Sequence, residues 1–309
     1  MPDLPDLTPA ELDAFTRLYG LQGPLERLPS VGIVNRVYAG TLRGARVVLR
    51  VPMPGDHDDT LTESAAVPAA FQAGIRTPEL LIFDDERRVV DAPVTVYAFA
   101  EGRSLEGYGW APGDRRLTRA WREAGRELAA LHAGVTAAPD PHGRLEVIAP
   151  VNTGRTLQRV TQGGHLARQE AEWATCTVAR LLQENPPPTT PAFLHNDLHA
   201  GNLMVTEGGE VTALIDWGDA GWGDPVLDLC YAGPLAAPDL LRGYEDVTGL
   251  DGGARLRLLA YLLNDATRRL TTPPNPDAPQ LWYTHPGTAL TQLLRVAPQF
   301  PQWAAELGR

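Results

Sequence analysis

At 309 residues, with 43% hydrophobic and 21% charged residues, the chain is long enough for two lobes with apolar cores. A net charge of −11 argues against nucleic acid as the main partner. No apolar run is long enough to span a bilayer, the N-terminus lacks the basic region and apolar stretch of a secretory signal, and Cys176 and Cys230 lack metal spacing, so a cytoplasmic protein away from membranes is expected.

In chain order, Thr8 with Glu11 three residues on forms a capping box that opens a helix over Pro9–Tyr19, the one element of a lead-in over residues 1–29. Val31 to Leu42 and Ala45 to Val51 read as a β-hairpin around the turn at Arg43-Gly44. Within the second strand Val47, Leu49 and Val51 face one way and Arg46, Val48 and Arg50 the other. Thr60 and Glu63 form a second capping-box pattern, opening a helix toward Gly74; Pro68 inside it costs about 3 kcal/mol or forces a kink. Leu80–Asp84 and Val89–Phe99 read as strands about a turn at 84–87. From Asp114 to Val135, Leu117, Trp121, Ala124, Leu128 and Leu131 recur at helical steps, ending at His132, a packing histidine. Residues 136–164 read as loop, Leu166–Leu182 as helix, and Asp239–Tyr244, Ala254–Leu270 and Thr288–Val296 as C-terminal helices.

The chemistry is concentrated in 193–217. Asp197 falls in a short loop, and Asn202 five residues later precedes a strand starting at Leu203. Glu207-Gly208-Gly209-Glu210 reads as a hairpin turn, and Val211–Ile215 returns to deliver Asp216. Such a hairpin brings Asn202 and Asp216 together. Three oxygen-bearing side chains at this spacing suit phosphoryl transfer, which needs a carboxylate to orient an acceptor hydroxyl and hard oxygens for Mg²⁺. The chain has no lysine, and no arginine lies between Arg180 and Arg242, an interval with nine acids that favours a cationic acceptor over an anionic one.

The run from His195 through Asn202, with Ile215-Asp216-Trp217, Gly223-Asp224-Pro225 and Asp228-Leu229, resembles the aminoglycoside phosphotransferase and choline kinase superfamily. The likeness is specific over about 193–230 and weaker over 30–135. It implies an α+β, bilobal protein-kinase-like fold, with a small β-rich lobe over 1–101 and a larger, mostly helical lobe over 102–309. It implies a donor, ATP or GTP, used with Mg²⁺ to phosphorylate a hydroxyl of a small acceptor such as an aminoglycoside or amino alcohol. By the resemblance Asp197 is the catalytic base, and Asn202 and Asp216 hold the metal. Gly32 and Asn35 lie in the nucleotide-covering loop, though without a full G-x-G-x-x-G pattern. Arg50 stands where relatives place a phosphate-binding cation, and Glu63 pairs with it. The backbone around Ala98 and Ala100 forms the hinge that holds the base, with Ala98 where a glutamate is usual. His195, Asp224 and Asp228 brace the catalytic loop.

Charge and position make His199, Asp219 and Glu245 candidates for acceptor contacts. Two rival readings stand beside this one. His195, Asp197 and His199 would form the metal cluster of a zinc hydrolase. A nucleotide-binding, catalytically weak pseudokinase-like regulator would keep the fold without turnover. Nothing in the sequence sets the oligomeric state.

Overall fold

The computed structural model describes residues 6–28, 35–53, 55, 57–149, 151–275 and 282–308. Helix α1 (Pro9–Tyr19) opens with the expected capping box: Thr8 N–H donates to Glu11 Oε2 at 2.7 Å and Glu11 N–H donates back to Thr8 Oγ1 at 3.3 Å. Strands β1 (Leu21–Arg27), β2 (Asn35–Leu42) and β3 (Ala45–Pro52) follow, then helix α2 (Asp58–Gln72) and strands β4 (Leu80–Asp84) and β5 (Val94–Ala98). They form one antiparallel sheet in the order β1-β2-β3-β5-β4. Strand β1 was not expected. Its Gly23 at φ 72° and the bulge between Gln22 and Glu26 break the alternation that signals a strand. The last of the expected strands is shorter at its start than 89–99, because Pro93 has no N–H to offer the ladder.

The period-two pattern sorts the sheet's two faces. Val47, Leu49, Val51, Val94 and Val96 pack with Phe15 of α1, while Arg50 and Tyr97 face α2. Helix α2 runs through Pro68 to Gln72, and its cap is His57 without a side-chain bond, so the expected capping box at Thr60 does not form. Glu63 is therefore not tied to its own helix end.

The rest is mainly helical. After the short strand β6 (Arg103–Ser104) come α3 (Arg115–Gly134), α4 (Thr153–Gln162) and α5 (Arg168–Glu184). Four short strands then frame the chemistry: β7 (Ala192–Leu194), β8 (Leu203–Val205), β9 (Val211–Leu214) and β10 (Gly221–Gly223). Helices α6 (Ala237–Glu245), α7 (Ala254–Arg269), α8 (Thr288–Val296) and α9 (Pro301–Leu307) complete the described chain. Helices α3 and α6 touch backbone to backbone at Gly125 and Gly243, where an added methyl would strike the Leu240 and Arg122 carbonyls. Leu128, Leu131, Leu240, Leu258 and Trp303 are among the residues that fill one continuous core. Helix α4 lies in what was expected to be loop. Its polar, β-branched sequence buries only Thr156 and Val160, one turn apart.

Candidate active site

The β8–β9 hairpin does what its sequence promises. Leu203 pairs with Leu214 and Met204 with Ala213, and the pairing runs on past the strands as Ile215 N–H donates to Asn202 O at 3.0 Å. This bond sets Asp216 beside Asn202. Asp216 has φ 68°, in the left-handed region that Asp and Asn tolerate better than most residues. Asn196, just before Asp197, is in the same region at φ 63°. Asn202 Nδ2 donates to both Asp197 O and Asp197 Oδ2 at 3.0 Å, so the Asn202 Oδ1 is turned away from Asp197. Asp197, Asn202 and Asp216 thus converge.

The sheet contributes the cation. Arg50 on β3 donates Nη1–H to Glu63 Oε1 at 2.5 Å and Nη2–H to Asp216 Oδ1 at 3.0 Å, bridging α2 and the hairpin. Glu63 also accepts from Tyr97 OH at 2.7 Å. Burial opposes charge on Arg50, but the Glu63 and Asp216 carboxylates outweigh it and hold the guanidinium charged. Burial pushes Asp216 up, and Arg50 more than reverses this, leaving it below the ordinary carboxylate range.

Asp197 behaves differently. Burial, then the charges of Asp219 and Asp216, push its carboxyl up to about 7. A carboxyl that must be ionised to accept a proton is lost as a base when pH falls through its raised pKa. Were Asp197 to serve as the general base, kcat/KM would drop about tenfold per unit below roughly pH 7. A profile flat to pH 5 would contradict that assignment.

The loop is braced from below. Asp228, fully buried, accepts the backbone N–H of His195 at 2.9 Å and of Asn196 at 2.6 Å, and meets His132 Nε2 at 2.9 Å. His132 Nδ1 lies 3.0 Å from Tyr244 OH. His195 is also fully buried, with Nδ1 accepting from Asp197 N–H at 3.3 Å and Nε2 bonded to Ile215 O at 3.0 Å. Asp224 accepts from Arg257 Nε at 2.7 Å and from Tyr261 OH at 2.9 Å.

Four expected site residues need correction or qualification. Glu245 is paired with Arg255 at 2.7 Å and makes no contact with the convergent group among the described residues, so charge alone misplaced it. Ala98 N–H is taken by Glu79 O at 2.9 Å and is not a free hinge donor. Phe99 N–H is likewise taken by Arg46 O at 3.2 Å, so Ala100 is the first hinge residue whose amide has no partner among the described residues. Asn35 begins β2 opposite Pro52, whereas Gly32 lies outside the described residues.

Asp219 and His199 do stand at the site. The Asp219 backbone carbonyl accepts from Asn196 Nδ2 at 3.0 Å, and His199 Nε2 is 3.7 Å from Asp197 Oδ2. The sequence reading missed Tyr97, Glu106 and Tyr283. Tyr283 OH donates to Glu106 Oε1 at 2.9 Å, and its ring centre is 6.1 Å from that of His199. Glu106 and Tyr283 are 177 positions apart, so no local motif could signal the pair. Arg269 of α7 also acts on Asp197 electrostatically, so the site is less uniformly acidic than its own segment.

As a metal site the group offers an amide oxygen and a carboxylate. Two hard oxygens suit Mg²⁺, which completes its shell with phosphates and water. Among the described residues no three His, Cys, Asp or Glu side chains gather as a metal cluster, and both His195 nitrogens are bonded within the protein. The zinc-hydrolase reading is set aside on that geometry. No described helix is long and apolar enough to cross a membrane.

The sequence matches the phosphotransferase enzyme family over residues 26–259. No curated protein matches it. Among solved structures it is similar to macrolide 2'-phosphotransferase type I, at 18% identity and TM-score 0.57, covering 95% of this chain and 99% of that one. A mutant aminoglycoside 2'-phosphotransferase-IIIa with GDP aligns at 15% identity and TM-score 0.61, covering 95% of each chain. A spectinomycin phosphotransferase with ADP and spectinomycin aligns at 13% identity and TM-score 0.57, covering 96% of this chain and 95% of that one. At these identities the likeness speaks to the fold, which is the kinase-like α+β architecture.

Proposed function

Because this chain belongs to the phosphotransferase enzyme family, we propose that it moves the γ-phosphoryl group of ATP or GTP to a hydroxyl of a small acceptor. The observation that carries this reading is the Ile215–Asn202 backbone bond, which sets Asp216 beside Asn202 while the Asn202 amide holds Asp197. Asp197 accepts a hydrogen bond from the acceptor hydroxyl and aims its oxygen at phosphorus. The new O–P bond forms as the bond from phosphorus to the bridging oxygen breaks. The electron pair leaves with the nucleoside diphosphate, and the hydroxyl proton passes to Asp197. Asn202 Oδ1 and Asp216 would hold Mg²⁺, which when bound supplies positive charge against the phosphates.

Arg50 faces the inner phosphates, steadied by Glu63 and Tyr97. A guanidinium binds phosphate oxygens in pairs, so arginine replaces lysine without loss of charge. The Ala100 amide is the hinge group left for the base. Two of the solved structures named above carry GDP or ADP, which supports a purine nucleotide donor. Asp197, Asp216, Asp219 and Glu106 surround the acceptor side against Arg269, which favours a cationic acceptor such as an aminoglycoside or amino alcohol.

The test is stabilisation by nucleotide with Mg²⁺, followed by phosphate transfer across a panel of amino sugars, macrolides and amino alcohols. ATP or GTP at a hundred times its Kd raises stability by about 2.7 kcal/mol. No shift with either nucleotide, with or without Mg²⁺, would overturn the reading. Tight nucleotide binding with no transfer to any acceptor or to water would favour a non-catalytic regulator instead.

A further inference from the structure

His199 has one ring nitrogen bonded within its own loop and the other without a hydrogen-bond partner among the described residues. Its Nδ1 accepts the Gly201 backbone N–H at 3.0 Å. An imidazole nitrogen that accepts cannot also carry hydrogen, so the proton of the neutral ring sits on Nε2. That Nε2 is 3.7 Å from Asp197 Oδ2, beyond hydrogen-bond reach, and it makes no hydrogen bond among the described residues. The His199 and Asp197 side chains are each about a third exposed, so a ligand placed against the carboxylate can come within reach of this donor. Gly201 makes the arrangement feasible: a β-carbon there would lie 2.7 Å from His199 Cε1 and 3.0 Å from Nδ1. Around the ring stand Glu106, Asp216, Arg269, Tyr283 and Asp197.

We propose that His199 donates its Nε2–H to an oxygen of the phosphoryl group in transfer. This rests on the phosphotransferase reading and adds a contact to it. The alternative target, the acceptor hydroxyl, is chemically poor. A donor on that oxygen would draw electron density from the atom that must attack phosphorus, whereas the phosphoryl group offers three oxygens that carry the charge of the transition state. The backbone amide fixes the direction of the donor in advance, so the contact needs no reorganisation during reaction.

Two substitutions separate this role from simple pinning of the loop. His199→Asn keeps an acceptor near the Nδ1 position for Gly201 but removes the reach of Nε2. His199→Gln keeps a donor near the Nε2 position. The measurement is calorimetric affinity, with Mg²⁺, for the non-hydrolysable triphosphates AMP-PNP and GMP-PNP against ADP and GDP. Diphosphate affinity serves as the check that each variant is folded. His199→Ala and His199→Asn should lose roughly tenfold or more of the preference for triphosphate over diphosphate, and His199→Gln should keep most of it. Retention of that preference by the alanine variant overturns the proposal. So does rescue by asparagine but not glutamine, which would leave the ring as a loop pin, and so does equal loss in all three. If the wild-type protein binds none of the four nucleotides, the phosphotransferase reading itself falls, and this contact with it.

Discussion

Replacing Asp197 with alanine is expected to lower phosphate transfer by about two to four orders of magnitude, the range for removing a positioned general base. Nucleotide affinity should change little, because on the proposed reading Asp197 serves the acceptor while Arg50 and the Asn202–Asp216 pair serve the phosphates. Asn202 Nδ2 loses its 3.0 Å bond to Asp197 Oδ2 in this variant, but keeps the one to the Asp197 carbonyl, so the loop retains an anchor. Initial rates and equilibrium binding on the same preparation check this. A parallel collapse of both would mean that Asp197 shapes the nucleotide site rather than the acceptor's reaction.

The second large effect is one of stability. Arg257 is fully buried and forks between Asp224, 3% exposed, and Asp251. It donates Nε–H to Asp224 Oδ2 at 2.7 Å and Nη2–H to Asp251 Oδ2 at 2.6 Å. Through this pair helix α7 is tied to the segment after β10. Arg257→Met keeps the volume but strands the Asp224 carboxylate without its cation. Breaking one side of a buried pair costs about 3–5 kcal/mol, chiefly because the remaining charge is uncompensated. Denaturant unfolding should show a loss of that size, and adding Asp224→Asn should recover part of it. A loss under about 1 kcal/mol would show that water reaches Asp224 freely.

The part of the site legible in the sequence is the part built locally. Asp197, Asn202 and Asp216 lie within one loop and one hairpin, so turn chemistry and strand alternation suffice to bring them together. Arg50 and Glu63 were legible only through the resemblance, since a strand cation and a helix acid carry no spacing rule of their own. The same four-residue pattern gave opposite outcomes at two places. Thr8–Glu11 forms its capping box, whereas at Thr60–Glu63 the helix starts earlier and Glu63 turns to Arg50 instead. A capping pattern reports what a helix end can use, and tertiary contact decides where the end falls.

What stayed hidden depends on distant pairing. Strand β10 is three residues long and exists because it lies against β7. Glu106 and Tyr283 meet from far ends of the chain. Tyr97 looks like a core aromatic until its hydroxyl is seen on Glu63. Glu245 failed for the opposite reason: net charge near the site segment was taken for position, and Arg255 holds it elsewhere.

The most direct test places a metal. Crystals grown with Mn²⁺ and a non-hydrolysable triphosphate should show an anomalous peak shared by Asn202 Oδ1, the Asp216 carboxylate and the phosphates. Arg50 should have moved from Asp216 toward the phosphates, and Asp197 should stand opposite, free of the metal. A peak away from Asn202 and Asp216, with those two side chains apart, would contradict the assignment of the whole site.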